Sequence, residues 1–303
     1  MNYKDVCVLI PTLNEEESIE AVVREFKTLD FENVLVADGH STDATVERAR
    51  AAGARIFIQS GAGKGQALKE AFEEIKEEYI LLIDGDGTYL PSEADRLLGP
   101  VLTGKADHVI GNRLGNVHGG SFKRLNMLGN KIINFFFSAI YRVRLYDILS
   151  GYRAFTAEGI RRLDLSTPGF EIESEITIES VKKGLRIIEV PITYMPRRAG
   201  ARTKLRPFRD GLKIILTIFR MAKTENPMFY YGLFGSISGL LGFVTGIFVA
   251  RDWLYWRIEH IPLTILTAIL IIVGFQLFLI GMQGDMIASM HREIIRELNR
   301  KRK

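Results

Sequence analysis

Asp84 and Asp86 flank a single glycine, Gly85, directly after the apolar run Tyr79-Ile80-Leu81-Leu82-Ile83. A short apolar run bounded by turn residues reads as a buried strand, so two carboxylates stand at a strand's end. The glycine lets the turn tighten until both side chains can reach one hard cation, which takes oxygen ligands and often shares them with substrate phosphates. In an open α/β sheet, ligands bind at the carboxyl ends of the strands. An Asp- and Gly-rich β-turn that holds no metal has the same composition. The choice between the two depends on what the neighbouring strand ends carry.

Strand-like pieces occur at residues 6–10, 33–37, 55–59, 79–83 and 108–111, with helical patterns between them at 16–29, 44–52 and 65–78. In the first helical pattern Ile19, Val22, Val23 and Phe26 share one face. This alternation predicts an α/β fold, a parallel sheet covered by helices. The loops after the strands, Pro11-Thr12-Leu13-Asn14-Glu15, Asp38-Gly39-His40-Ser41-Thr42-Asp43, Ser60-Gly61-Ala62-Gly63-Lys64-Gly65 and the paired Asp, then fall on one sheet edge. A nucleotide fits that edge, with Asp38 accepting from a ribose hydroxyl or base amide and Lys64 set near negative charge. Asn14, Ser41 and Thr42 also suit helix caps, and Asp43 a helix's first turn. The glycine-rich loop is no P-loop, since Gly65 stands where that motif needs Ser or Thr and Ile58 where it needs its first glycine.

After Gly111 the alternation fades into a helix-like stretch at 130–141, a late strand at 185–194 and an amphipathic helix at 208–223. Asp147, shortly before Ser150-Gly151-Tyr152-Arg153, can approach a substrate or cap the turn that follows. Glu171, Glu173 and Glu175 share a face on a strand, and at a helix start they suit the dipole.

The chain has 303 residues and a net charge of +4, a mildly basic balance that does not point to nucleic acid. Residues 228–250 and 261–284 contain no Asp, Glu, Lys or Arg. At ~1.5 Å per residue each is long enough for a ~30 Å hydrocarbon core, which predicts a transmembrane hairpin. Trp253, Tyr255 and Trp256 in the connecting residues suit a membrane interface. In the 208–223 helix Leu212, Ile215, Leu216 and Phe219 share a face bordered by Arg209, Lys213 and Arg220. It is expected to lie on the bilayer surface, although a helix packed on the soluble domain has the same pattern.

Basic residues crowd both outer ends of the hairpin: Lys204, Arg206 and Lys223 ahead of it, and Arg300-Lys301-Arg302-Lys303 behind it. Both chain ends and the soluble part are therefore expected in the cytoplasm, in line with a start that lacks the apolar core of a signal peptide. The expected organisation is a catalytic domain over 1–206, an interfacial helix over 207–226, two spans within 227–284 and a basic tail over 285–303. The single cysteine, Cys7, excludes an intrachain disulfide and is expected in the core.

Taken in order, PTLNEEESI, VADGHSTDAT, GKGQAL, LLIDGDGTY, VIGNRLG, DILSGYRAF, GFEIESE and EVPITY resemble the inverting family 2 glycosyltransferases with the GT-A fold. Within that family the chain resembles the polyprenyl-phosphate sugar synthases, the dolichyl-phosphate mannose and glucose synthase group. The phrase DGHST and the hairpin look more like archaeal dolichyl-phosphate hexose or N-acetylhexosamine synthases than the mannose enzymes. The likeness covers residues 6–204. It implies a Rossmann-like, mostly parallel sheet and transfer of one sugar from a nucleotide sugar to dolichyl or polyprenyl phosphate, with inversion. UDP is favoured over GDP, and glucose or N-acetylglucosamine over mannose.

Position by position, the resemblance implies that Pro11, Leu13, Glu15 and Asp38 bind the nucleoside. Asp84 and Asp86 would hold Mg²⁺ or Mn²⁺, Asp86 as direct ligand. Arg113 falls near the reacting phosphates, Arg124 matches a second arginine for the acceptor phosphate, and Arg197 and Lys204 match a basic loop over the donor diphosphate. Three positions depart from the pattern. Thr88 stands where relatives often have Gln, Leu128 where some have Ser, and an extra residue separates Gly200 from Lys204.

The chemistry of such a transfer agrees with this residue set. A hydroxyl acceptor needs a general base, whereas a phosphate monoester, with a second ionisation near pH ~6, is already an oxyanion at neutral pH. The work left to the protein is electrostatic: holding two anionic substrates and stabilising the departing nucleoside diphosphate. A glycolipid or polysaccharide synthase acting on a hydroxyl is the alternative within this fold. It is disfavoured because no late Glu-Asp pair or Gln-x-x-Arg-Trp sequence is present and two spans are few for a polymer channel. A membrane protein that binds a nucleotide sugar without turnover is disfavoured by the intact Asp84-Gly85-Asp86. No residue pattern sets an oligomeric state.

Overall fold

The computed structural model describes residues 3–117, 124–196 and 207–301, and the chain separates into two units, Met1–Ile218 and Phe219–Lys303. The first unit runs β1 (Val6–Thr12), α1 (Ile19–Thr28), β2 (Asn33–Asp38), α2 (Thr45–Ala51), β3 (Arg55–Ile58), α3 (Lys64–Glu74) and β4 (Tyr79–Leu82). It continues with α4 (Ala94–Leu102), β5 (His108–Val117), α5 (Arg124–Tyr141), β6 (Arg153–Thr156), α6 (Ala157–Arg161), α7 (Ile172–Lys182) and β7 (Ile187–Tyr194), and α8 (Pro207–Glu225) carries the chain on into the second unit.

The strands form one sheet in the order β3-β2-β1-β4-β6-β5-β7. Every one of these strands but β6 runs in the same direction, so the ends of β1, β2, β4, β5 and β7 share one edge. From β1 the chain winds outward to β2 and β3, then returns to β4 on the other side of β1. That reversal opens a crevice at the carboxyl ends of β1 and β4.

β1 is buried along its whole length, as a central parallel strand must be when both its faces are covered. Val6, Val8 and Ile10 pack with Phe26, Phe31 and Leu97 on one face, while Cys7 and Leu9 pack with Leu68, Phe155 and Ile176 on the other. Cys7 lies in the core as expected, and burial pushes its thiol up to about 12. In α1 the buried set is Ile19, Val22, Val23 and Phe26, the face expected from the 3.6-residue period.

Several elements differ from the sequence expectation. α3 stops at Glu74, because Ile75 turns to extended backbone and sends the chain toward β4. β5 is ten residues long and pairs with β7 as far as Val117 and Tyr194. The antiparallel β6 is too short, at four residues, to show a period of its own. In α8 the buried side carries Ile214 and Ile218, while Leu212 and Leu216 are exposed, so the face expected on a bilayer points outward.

The second unit is a pair of packed helices, α9 (Pro227–Trp256) and α10 (Ile261–Lys301). Asn226 caps α9 by accepting from Phe229 N, and Pro227 occupies its first turn. Gly235 and Gly274 meet face to face: a Cβ on either would lie 2.7 or 2.8 Å from the other's carbonyl oxygen. Ser238 donates to Leu270 O at 2.8 Å and Thr267 to Thr245 Oγ1 at 2.9 Å. The outer faces expose Phe243, Ile247, Ile265, Ile272 and other apolar side chains, and both helices are long and apolar enough to cross a membrane. Trp253, Tyr255 and Trp256 sit on the last turns of α9, and residues 285–301 continue α10 as helix.

Candidate active site

The paired carboxylates emerge where β4 passes the end of β1. A Cβ on Gly85 would lie 2.7 Å from Thr12 Cγ2, so the loop's approach to β1 needs glycine there, and Gly87 follows at φ +71°. Ser18 donates to Gly85 O at 2.7 Å, tying the loop to the start of α1. Asp86 is 8% exposed, and its Oδ1 accepts from Thr88 N at 3.0 Å and Thr88 Oγ1 at 2.6 Å. Thr88 is therefore the residue that orients Asp86 from behind.

Asp84 is held on both sides. Its Oδ1 accepts from Lys64 Nζ at 2.5 Å, and the backbone of Gly151 lies so close that a Cβ there would fall 2.3 Å from Oδ2. Lys64 Nζ also lies 2.5 Å from Glu173 Oε1, and Glu173 is buried. Burial alone would lower the Lys64 ammonium's pKa, but the Asp84 and Glu173 carboxylates outweigh it and raise the group above its ordinary range. The local sequence explains this meeting. Gly63 has φ +99°, and a Cβ on Gly65 would lie 2.1 Å from Thr167 O, so only glycines let the 167–169 segment cross the start of α3. Gly65 N donates to Pro168 O at 2.8 Å across that contact, and α7 begins shortly after it.

The loops after β1 and β2 are laced together. Asn14 N donates to Ser41 Oγ, Thr42 N to Asn14 Oδ1 and Glu15 N to Thr45 Oγ1, each at 2.8 Å. Asn14, at φ +51°, thus bridges two loops and caps neither helix. Asp38 is buried and accepts from Ser41 N at 2.8 Å, Ser41 Oγ at 2.5 Å and Thr12 Oγ1 at 3.4 Å. Of the residues read as nucleoside-binding, Leu13 is exposed, Glu15 half-buried and Pro11 buried.

Arg113 lies on β5 beyond the reach of β6. Its Nε and one terminal nitrogen donate to the two oxygens of Asp147 at 2.8 and 2.7 Å, and its backbone N donates to Oδ2 at 2.9 Å. Both residues are buried, Asp147 completely. Burial opposes the guanidinium's charge, but Asp147 overrides it and raises the group's pKa above its ordinary range. Glu189 on β7 in turn accepts from Tyr146 N and from Asp147 N at 2.8 Å, fixing the backbone that carries Asp147. The Arg113 guanidinium stands 5.4 Å from the Tyr194 ring centre, and Tyr194 packs on Tyr89 at 5.3 Å. Tyr89 hydroxyl accepts from Gly151 N at 3.0 Å, which joins the arginine cluster to the wall behind Asp84.

The structure thus brings Lys64, Asp84, Asp86 and Arg113 to one sheet edge and links them through Gly151, Tyr89 and Tyr194. Arg124 is the first residue of α5 and its side chain lies outside the described residues, as do Arg197 and Lys204 entirely. From the sequence alone Glu173 and Asp147 stay open, and Tyr89, Tyr194 and Glu189 have no part. Each sits within a motif already picked out, DGDGTY, DILSGYRAF, GFEIESE or EVPITY. Among the described residues no group of three or more His, Cys, Asp or Glu could hold a metal without help. Asp84 and Asp86 are two hard oxygen donors that could hold a divalent cation of the Mg²⁺ or Mn²⁺ type if substrate phosphates and water completed its shell.

A family model described as glycosyl transferase family 2 matches residues 7–164. The chain belongs to glycosyl transferase family 2. It is 44% identical to glycosyltransferase AglJ of Haloferax volcanii over 97% of both chains. It is 29% identical to a dolichyl-phosphate hexose transferase of the same organism, covering 74% of this chain and 96% of that one. In three dimensions it is similar to glucosyl-3-phosphoglycerate synthase from Mycobacterium tuberculosis, solved with Mn²⁺, UDP and glucosyl-3-phosphoglycerate. The TM-score is 0.59 at 26% identity, over 72% of this chain and 79% of that one. This family 2 chain is therefore a glycosyltransferase with a GT-A-like, mostly parallel sheet.

Proposed function

We propose that this glycosyltransferase moves one sugar from a nucleotide sugar to a polyprenyl phosphate of the dolichyl type, in a reaction that depends on Mg²⁺ or Mn²⁺. The observation that carries the acceptor class is the Arg113–Asp147 pair. Asp147 is buried and accepts three hydrogen bonds from Arg113, so it serves as a counter-ion and is badly placed to be a base. A hydroxyl acceptor would require a base, whereas a phosphate requires a fixed cation such as Arg113. The likeness to the dolichyl-phosphate hexose transferase of Haloferax volcanii supports the same acceptor.

On this reading the donor enters the crevice between the ends of β1 and β4, with Leu13, Glu15 and Asp38 along its nucleoside side and Arg197 and Lys204 supplying charge to the diphosphate. Asp84 and Asp86 hold the divalent cation, which supplies Lewis-acid stabilisation of the leaving diphosphate. Arg113 and Arg124 orient the acceptor phosphate. UDP is favoured as the donor nucleotide, in keeping with the UDP held by the glucosyl-3-phosphoglycerate synthase, and glucose or N-acetylglucosamine as the sugar. α9 and α10 span the bilayer, α8 lies at its surface through Leu212 and Leu216, and the catalytic domain faces the cytoplasm.

The test is a transfer assay on the full-length protein in detergent, with Mg²⁺ or Mn²⁺, dolichyl phosphate and a panel of labelled UDP- and GDP-sugars. One labelled lipid that mild acid cleaves supports the reading and names the sugar. Donor hydrolysis that requires Asp86, with no lipid product from any donor, contradicts the acceptor.

A further inference from the structure

Lys64 joins two carboxylates that differ in position. The Asp84 side chain is 27% exposed at the sheet edge, whereas that of Glu173 is 6% exposed and lies in the first turn of α7. Asp84 is thus partnered by the protein's own ammonium. A divalent cation on Asp84 and Asp86 and an ammonium 2.5 Å from Asp84 Oδ1 compete for the same charge.

We infer that Glu173 is a positioning residue that takes over Lys64 when a divalent cation binds Asp84. The inference rests on the metal reading of Asp84 and Asp86 given above. Three features make the exchange possible. The backbone of Lys64 is fixed, because the next residue's N–H is bound to Pro168 O at 2.8 Å, so only the side chain moves. That side chain is a flexible stem ending in a compact charge with three donors. Glu173 already makes the contact at 2.5 Å, and its place at the start of α7 favours its negative charge. The carboxylate pair therefore keeps a positive partner before and after metal arrives, and Lys64 keeps a negative one. Glu173 sets metal affinity without touching the metal.

The experiment is a Mn²⁺ titration of the full-length protein in detergent, followed by electron paramagnetic resonance with no substrate present. Mn²⁺ should bind the wild type and be lost from Asp86→Asn. Glu173→Gln should weaken binding about three- to tenfold, because Lys64 then leans on Asp84 alone, and Lys64→Met should tighten it. In the Lys64→Met background the effect of Glu173→Gln should vanish. An equal loss in both backgrounds would mean that Glu173 acts only as a remote negative charge, and would overturn the exchange while leaving the metal site intact. Mn²⁺ binding that is absent, or indifferent to Asp86→Asn, would overturn the metal reading and the exchange with it.

A second readout needs no Lys64 variant, which matters because Lys64→Met strands two carboxylates. Acetylation of Lys64 by acetic anhydride, followed by mass spectrometry, should stay slow in the wild type when Mg²⁺ is added and accelerate in Glu173→Gln. Acceleration in the wild type on adding Mg²⁺ contradicts the transfer of Lys64 to Glu173.

Discussion

The two charged clusters at the sheet edge are built on opposite plans. At the end of β4 one cation, Lys64, is shared by two carboxylates, Asp84 and Glu173, on two different elements. On β5, just past its pairing with β6, the cation Arg113 takes one carboxylate, Asp147, through three hydrogen bonds. A shared cation can move to either partner at modest cost, whereas a buried bidentate pair is held in one geometry by parallel hydrogen bonds. The difference matches the roles proposed for the two places. In those proposed roles the carboxylate pair would accept and release a metal with each donor, while the arginine would stand still to receive a phosphate.

Breaking each plan should therefore give a different failure. The largest expected effect is on turnover: Asp86→Ala should lower transfer by more than roughly 10²-fold while the protein keeps its fold, read by activity beside a thermal melt. Next comes Asp147→Ala, which leaves Arg113 buried without its counter-ion. The expected loss is ~3–5 kcal/mol of stability, seen as a lower melting temperature together with reduced activity. A melt unchanged from wild type would show that the pair is not the rigid element described here. The smallest effect is expected from Thr88→Val, which removes the hydroxyl 2.6 Å from Asp86. It should weaken Mn²⁺ binding by a few fold, the ~1 kcal/mol of one hydrogen bond, and leave the melt near wild type.

The same contrast governs what could be read from the chain. β1, α1 and the loops after β1, β2 and β4 are legible because each rests on a local period or on turn residues within a few positions. The Asp84-Gly85-Asp86 turn is local in the same sense. Glu173 is not, because its meeting with Lys64 depends on the 167–169 segment crossing Gly63 and Gly65, residues about a hundred positions away. Asp147 is hidden for a related reason: its partner Arg113 is 34 residues distant and the two meet only once β6 inserts antiparallel between β4 and β5. Four residues of strand carry too little pattern to announce that insertion. The long apolar helices were legible in their apolar cores, but α10 runs on to Lys301 and α9 continues through Trp256, its end set by Arg257 in the left-handed region.

The central claim is that the acceptor is a phosphate held by a fixed arginine, with no base required. The most direct measurement supplies the purified full-length protein with dolichyl phosphate or with dolichol, under the same labelled donor and Mn²⁺, and compares the two products. Labelled lipid from dolichyl phosphate alone, lost in Arg113→Ala, is the predicted result. Transfer to dolichol at a comparable rate, or transfer to dolichyl phosphate that survives Arg113→Ala unchanged, would contradict it.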